Sequence, residues 1–296
     1  MNIDSFSKYN PAVIIYFYVL AIGLGVFFIH PAFVVCSILF SGAYYVRLKG
    51  KEAFKLIIGL VPVFVLISAI NPLFSRYGTT VLFTFGSGRE YTLEALCYGI
   101  AAGGIFVSAM LWFASYNLVI TSDKFMYALR KLAPAASLLI TMIFRLIPSF
   151  GAKASQMSLA RSSLMGREEK GLKDKVLSGT AVLNALMGWA LEGGIKTSDS
   201  MKARGYGCGK RTAFAKYRFD SRDRALLIVL LCLMITTIFT GILGTANTTY
   251  EPVMHFEGFY DPYTIIGILS YILLLATPTA INITEEIKWH ILRSKI

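Results

Sequence analysis

The chain has 296 residues, of which 55% are hydrophobic and 16% charged, whereas a soluble domain carries roughly 25% charged residues. That balance excludes an ordinary soluble domain and fits a chain solvated by lipid. A formal net charge of +12 raises nucleic acid as a partner, but the basic residues are partitioned between loops and form no continuous stripe, so no nucleic-acid partner is expected.

Crossing a hydrocarbon core of about 30 Å takes roughly 20 apolar residues. Stretches at 12–29, 31–46, 53–70, 93–120, 225–244 and 263–281 predict an all-α integral membrane protein with about six transmembrane helices. The first follows a mixed segment, 4–11, that lacks a small-x-small cleavage site, so it reads as a retained span and not a signal peptide. His30-Pro31 leaves almost no loop before the short second stretch. The first two spans should therefore form a tight helical hairpin, with Pro31 in a first turn where its missing N–H has no partner to lose. After the third span, Asn71-Pro72 opens a segment rich in β-branched and aromatic residues between Gly78 and Gly88, which predicts a short external hairpin near 71–92. Gly99, Gly103 and Gly104 in the fourth span have the spacing that allows close helix packing.

Loops rich in lysine and arginine stay in the cytoplasm. Arg47, Lys49, Lys51 and Lys55 surround the second turn, region 122–224 holds nineteen Lys or Arg against eight Asp or Glu, and the end of the chain carries Lys288, Arg293 and Lys295. By contrast 71–92 has only Arg76 and Arg89, and 245–262 has Glu251, Glu257 and Asp261 with no basic residue. The expected arrangement is a multi-pass protein of the cell membrane with both termini cytoplasmic. It has three parts: 1–121 with spans one to four, a cytoplasmic region 122–224 of long amphipathic helices, and 225–296 with spans five and six and a tail.

Two apolar stretches in the cytoplasmic region, 135–147 and 180–195, are too short to span and are interrupted or flanked by polar groups such as Arg145 and Asn184. Pro134 starts a helix; Pro148 predicts a kink before that helix runs on to Met165 and stops at Gly166. A charged turn, 167–175, leads to a second helix in which Leu172, Val176, Leu183, Leu186 and Leu191 recur at helical intervals before Gly205, Gly207 and Gly209 end it. Both helices are expected to end in one design, Ala160-Arg161-Ser162 shortly before Gly166 and Ala203-Arg204-Gly205 at the glycine stop. A glycine supplies the left-handed cap, the helix dipole favours a cation there, and a planar guanidinium can bridge carboxylates in a narrow groove.

These strings resemble the transmembrane T component of energy-coupling factor transporters, the cobalt-type permease family. The resemblance covers nearly the whole chain: His30-Pro31, Asn71-Pro72, the segment from Arg145 to Pro148, Ala160-Arg161-Ser162, and above all Ser200-Met201-Lys202-Ala203-Arg204-Gly205-Tyr206-Gly207 followed by Arg211-Thr212. It implies that 122–224 is a coupling region, that Arg161 and Arg204, flanked by Ala160, Ser162, Ala203 and Gly205, dock into two ATP-binding-cassette ATPase subunits, and that a separate membrane subunit binds a vitamin or transition metal. The first motif has serine where the second has glycine, a variation the family tolerates. ATP would be bound by the partners, so no cofactor is expected on this chain.

The competing readings are a self-sufficient secondary transporter and an integral membrane enzyme. Either should place ionisable groups or broken helices within the membrane, yet the spans carry almost none; Glu94 stands at the start of the fourth, and Glu192 and Asp199 have no matching cluster. Cys36, Cys97, Cys208 and Cys232 form no C-x-x-C pair, and His30, His255 and His290 have no metal-ligand spacing. The string from Gly205 to Lys210 fails as a phosphate loop: Arg204 stands where its first glycine belongs, Arg211 replaces the Ser or Thr, and no strand precedes it.

Overall fold

The computed structural model describes residues 4–74, 80–85, 89–165, 171–209, 217, 219–243 and 262–294. The expectations placed on Arg76, Gly78, Gly88, the stop at Gly166, the first part of the charged turn, Arg211-Thr212, the acidic loop before Pro262 and Lys295 lie outside those residues. In chain order the helices are α1 (Pro11–Phe27), α2 (Pro31–Lys49), α3 (Ala53–Phe74), α4 (Leu93–Val119), α5 (Ser122–Leu132), α6 (Pro134–Met165), α7 (Leu172–Ala203), α8 (Ser221–Ile242) and α9 (Pro262–Arg293). Strands β1 (Val81–Phe85) and β2 (Arg89–Thr92) pair antiparallel between α3 and α4, with an irregular register between Val81 and Phe83. The chain divides into two compact units: Met1–Phe125 with Tyr217–Ile296, and Met126–Lys216.

Unit one is a bundle whose strongest pairings are α3 with α4, α2 with α4 and α8 with α9. Asn10 caps α1, its Oδ1 accepting from Ala12 N–H at 3.1 Å, and His30 caps α2, its Nδ1 accepting from Ala32 N–H at 3.2 Å. A proline follows each cap at the first helical position. Gly50, at φ +62°, ends α2, and a single 3-10 turn, Gly50–Glu52, leads into α3.

Helix α1 is apolar all round, as a membrane span can be; it buries Val13, Ile14, Phe17, Tyr18 and Ala21 in the bundle and exposes Val19, Val26 and Phe27. Trp112 of α4 stands edge-on to Phe17 at 5.6 Å and donates its Nε1–H to Ser37 Oγ at 3.2 Å. Small polar side chains occupy the helix interfaces, where Thr237 and Ser270 share a hydrogen bond of 2.9 Å. A Cβ on Gly99 would lie 2.7 Å from the Ser68 carbonyl oxygen, so only glycine permits this crossing of α3 and α4. Meanwhile Ile58, Val61, Val65, Phe106, Val229, Ile235 and Leu273 face outward. Small polar residues inside and large apolar ones outside suit lipid as the solvent.

Among the described residues, five helical stretches are long and apolar enough to cross a bilayer: Pro31–Phe74, Leu93–Val119, Ala135–Leu164, Ser221–Ile242 and Pro262–Arg293; α1 is apolar but shorter. Thus α1, α2, α3, α4, α8 and α9 fall on the six stretches read from the sequence. Four details differ from that reading. The second span is 19 residues, not short. Helix α3 continues through Asn71-Pro72 to Phe74; like Pro62 earlier in the same helix, Pro72 gives up its own backbone N–H bond without ending the helix. Helix α9 runs on to Arg293, since 282–293 has no glycine or proline and carries good helix formers. Residues 135–147, read as too short to span, belong to the stretch 135–164, which is long and apolar enough to do so, as α6 runs on through Pro148 to Met165.

Unit two contains α6 and α7, which pack on one another with Phe150 edge-on to Trp189 at 5.5 Å and 89°. Ser137 Oγ of α6 donates to the Met126 carbonyl at 3.3 Å, tying the start of α6 to the part of α5 that lies in this unit.

Candidate docking site

The two arginine motifs sit on different local structures. In α7 the helix ends at Ala203 and Arg204 is the C-cap residue, at φ −83° and ψ 9°. Gly205 follows at φ +80°, its N–H donating to the Lys202 carbonyl at 2.9 Å, while Tyr206 N–H donates to the Met201 carbonyl at 3.0 Å. This pair of bonds is the Schellman motif, which satisfies carbonyls a helix end leaves orphaned and needs a residue tolerant of positive φ. Ala203, Arg204 and Gly205 are all exposed. Among the described residues the Arg204 side chain makes no hydrogen bond or ion pair, so its fork is open to a partner.

Arg161 is not at a tip. Helix α6 continues past it through Ser162 to Met165. Serine has no easy access to the left-handed conformation that stops α7 at Gly205. Ser162 instead donates its Oγ–H to the Leu159 carbonyl at 2.8 Å, and Ser163 does the same at 3.0 Å. Ala160 and Ser162 are exposed, whereas Arg161 is half-buried and its Nε is enclosed without a hydrogen-bond partner. The two motifs thus differ locally: Arg204 caps α7, whereas Arg161 lies in the last turn of α6, which ends at Met165.

The structure does not bring the motifs together. Six residues join α6 to α7, and such a connection spans at most roughly 25 Å. The Phe150–Trp189 contact lies 15 residues before Met165 and 17 after Leu172, so the helices must fold back on one another to close the connection. At about 1.5 Å per residue, Arg161 and Arg204 are then roughly 16 and 22 Å from the crossing on opposite sides, or on the order of 35 Å apart.

Both α6 and α7 also expose apolar side chains. Leu139, Ile143 and Ile147 recur every fourth residue on α6, and Leu183, Met187, Leu191 and Ile195 do so on α7, all at least half exposed. The stripe that the sequence presents at Val176, Leu183 and Leu191 is thus an outward face; the packed face of α7 holds Trp189 and the part-buried Leu186. Glu192 and Lys196 bridge at 2.6 Å beside it, and that hydrogen bond, with the charge of Lys196, holds the Glu192 carboxyl below its usual range. Sequence reasoning missed α5 as a separate helix, although Phe125, Met126 and Leu129 carry its amphipathic spacing.

A family model described as CbiQ, cobalt transport protein, matches residues 8–213. That range takes in both arginine motifs, α1 to α7 and the hairpin. No curated protein matches the chain.

Proposed function

From the premise that this chain belongs to the CbiQ cobalt transport protein family, the transmembrane T component of energy-coupling factor transporters and not an enzyme, we propose that unit two is its coupling region. Ala160, Arg161 and Ser162 dock into one ATP-binding-cassette subunit, and Ala203, Arg204 and Gly205 into a second. The observation that carries this reading is the exposed Arg204 fork on a Schellman-capped helix end, on the order of 35 Å from Arg161 by helix geometry. One nucleotide-binding subunit cannot easily hold both arginines at that separation, whereas a pair that closes on ATP moves them together.

The apolar faces of α6 and α7 take a separate substrate-binding membrane subunit. Patches of this extent on a helix pair mark a protein or membrane contact, and a stripe spaced every fourth residue fits a partner helix. The transported solute, a vitamin or a transition-metal ion, is recognised by that subunit. Following the distribution of lysine and arginine, unit two and both termini face the cytoplasm, the β1–β2 hairpin faces outward, and the protein resides in the cell membrane.

The test is co-purification of the tagged chain from its native membranes with mass spectrometry of the partners. Two ATPase subunits and a small membrane protein are expected. Recovery of the chain alone, stable and monodisperse, would sink this reading in favour of a self-sufficient transporter.

A further inference from the structure

Several buried polar groups gather at one place in unit one, around residues 4–10. Lys124, 7% exposed, donates from Nζ to the Ser7 carbonyl at 2.7 Å, to Ser7 Oγ at 2.6 Å and to the Val119 carbonyl at 2.9 Å. An ammonium has three donors, and here three oxygens meet them. One of those, Val119, is the last residue of α4, where a cation also opposes the helix dipole. Asp223, 5% exposed, accepts from Asn10 N–H at 2.9 Å through Oδ1 and from Asp220 N–H at 3.0 Å through Oδ2, joining the starts of α1 and α8. Asn282 of α9 gives its amide to Asp4 Oδ1 at 2.6 Å and accepts from Ser5 N–H at 2.7 Å, while Tyr44 of α2 donates to Asp4 Oδ2 at 3.1 Å. Between these anchors Phe6 is fully buried, edge-on to Phe17 at 5.4 Å.

The two charged anchors have a common topological position. The chain leaves unit one after Phe125 and re-enters at Tyr217. Lys124 immediately precedes the exit, and Asp223 closely follows the return. An apolar side chain at 124 would pack without the desolvation cost of a buried ammonium; what lysine adds is a directed hold on two backbone segments at once.

We propose that residues 4–10 form a clamp that fixes both joints of the coupling unit, so that its movement displaces α4 and α8 and is not absorbed by fraying at the joints. This rests on the coupling reading above. It is tested by hydrogen–deuterium exchange of the whole co-purified complex in nanodiscs, with and without ATP, which needs no knowledge of the solute. In the unaltered complex ATP should change exchange in α6 and α7 and also at residues 116–124 and 221–226. In Lys124→Met, loss of three charge-assisted bonds should speed exchange at residues 5–10 roughly ten- to hundredfold. The ATP-dependent change should persist in unit two but vanish at both joints. Ser7→Ala, which removes one acceptor without touching the charge, should act in the same direction more weakly and serves if Lys124→Met fails to assemble. Joint responses equal to the unaltered complex in the variant that assembles would overturn the clamp. An unaltered chain that recovers no ATPase, or whose unit two ignores ATP, would instead sink the coupling reading and the clamp's role with it.

Discussion

Replacing Gly205 with alanine separates backbone conformation from side-chain chemistry at the second motif. The residue sits at φ +80°, and an added Cβ would meet nothing within 4 Å, so the substitution costs conformation and no space. The left-handed region costs an L-residue about 1–2 kcal/mol, while asparagine tolerates it far better. At about 1.4 kcal/mol per factor of ten, the capped tip should fall roughly five- to thirtyfold against conformers in which α7 runs on past Arg204. An affinity that depends on one conformer weakens by up to the same factor. The assay is a binding titration of the co-purifying ATPases against the chain in nanodiscs. Gly205→Ala should weaken binding within that range, and Gly205→Asn should stay within about twofold of the native residue. Equal affinities for the alanine and asparagine variants would refute the claim that backbone geometry presents Arg204.

Arg204→Glu should abolish docking and ATP-driven uptake while the protein remains folded in the membrane. A carboxylate partner left buried costs about 2–5 kcal/mol, so uptake at the native level would disprove the role given to Arg204. Arg161→Glu should act more mildly, or on one ATPase preferentially, read by pull-down; recovery of both ATPases at native levels with the double variant would contradict the pairing of motif and subunit. Gly99→Leu should lower the thermal midpoint of the detergent-solubilised protein, since its Cβ alone would come 2.7 Å from the Ser68 carbonyl oxygen and overpacking costs about 1–3 kcal/mol. An unchanged midpoint would mean α3 and α4 do not cross there. Leu191→Lys, on an exposed face, should change stability by no more than about 0.5 kcal/mol yet lose the small membrane partner in pull-down; its retention would take the apolar face of α7 out of the contact.

The six stretches that α1 to α4, α8 and α9 occupy were legible because a bilayer imposes a length and an apolar composition at once, and composition is written residue by residue. The close crossing at Gly99 and the cap at Gly205 were legible for a similar reason: each depends on what glycine lacks. Less could be read where two outcomes share a composition. Residues 135–147 are too short an apolar run to read as a span, yet α6 carries on through Pro148 to Met165, and the stretch 135–164 is long and apolar enough to cross a bilayer. The apolar residues of α7 have the period of a buried face, but period gives a direction on the helix and not which direction is covered; Trp189 lies on the covered side and Leu191 on the open one. The Lys124 and Asp223 anchors were invisible for a different cause. Their partners, Ser7 and Asn10, are 117 and 213 residues away in sequence, and no local pattern announces a bond of that span.

The two units use apolar surface in opposite ways, and the difference bears on how the chain can work. In unit one the outward residues are solvated by lipid, so the bundle closes on its own aromatic core around Trp112, to which α1 contributes Phe17 and Tyr18. Unit two has two long helices, and a helix pair can cover only one stripe on each member. Leu183, Met187, Leu191 and Ile195 on one helix, and Leu139, Ile143 and Ile147 on the other, therefore stay open however well Phe150 meets Trp189. A region built this way takes part of its stability from whatever binds it, by mass action. The same incompleteness lets the pair be pulled: a fully packed core resists displacement, whereas two crossed helices with arginines near opposite ends can shift against each other without breaking a sealed interior. Loss of partners should then loosen α6 and α7 before it loosens the bundle, and a transporter chain stripped of its ATPases should show its lowest exchange protection there.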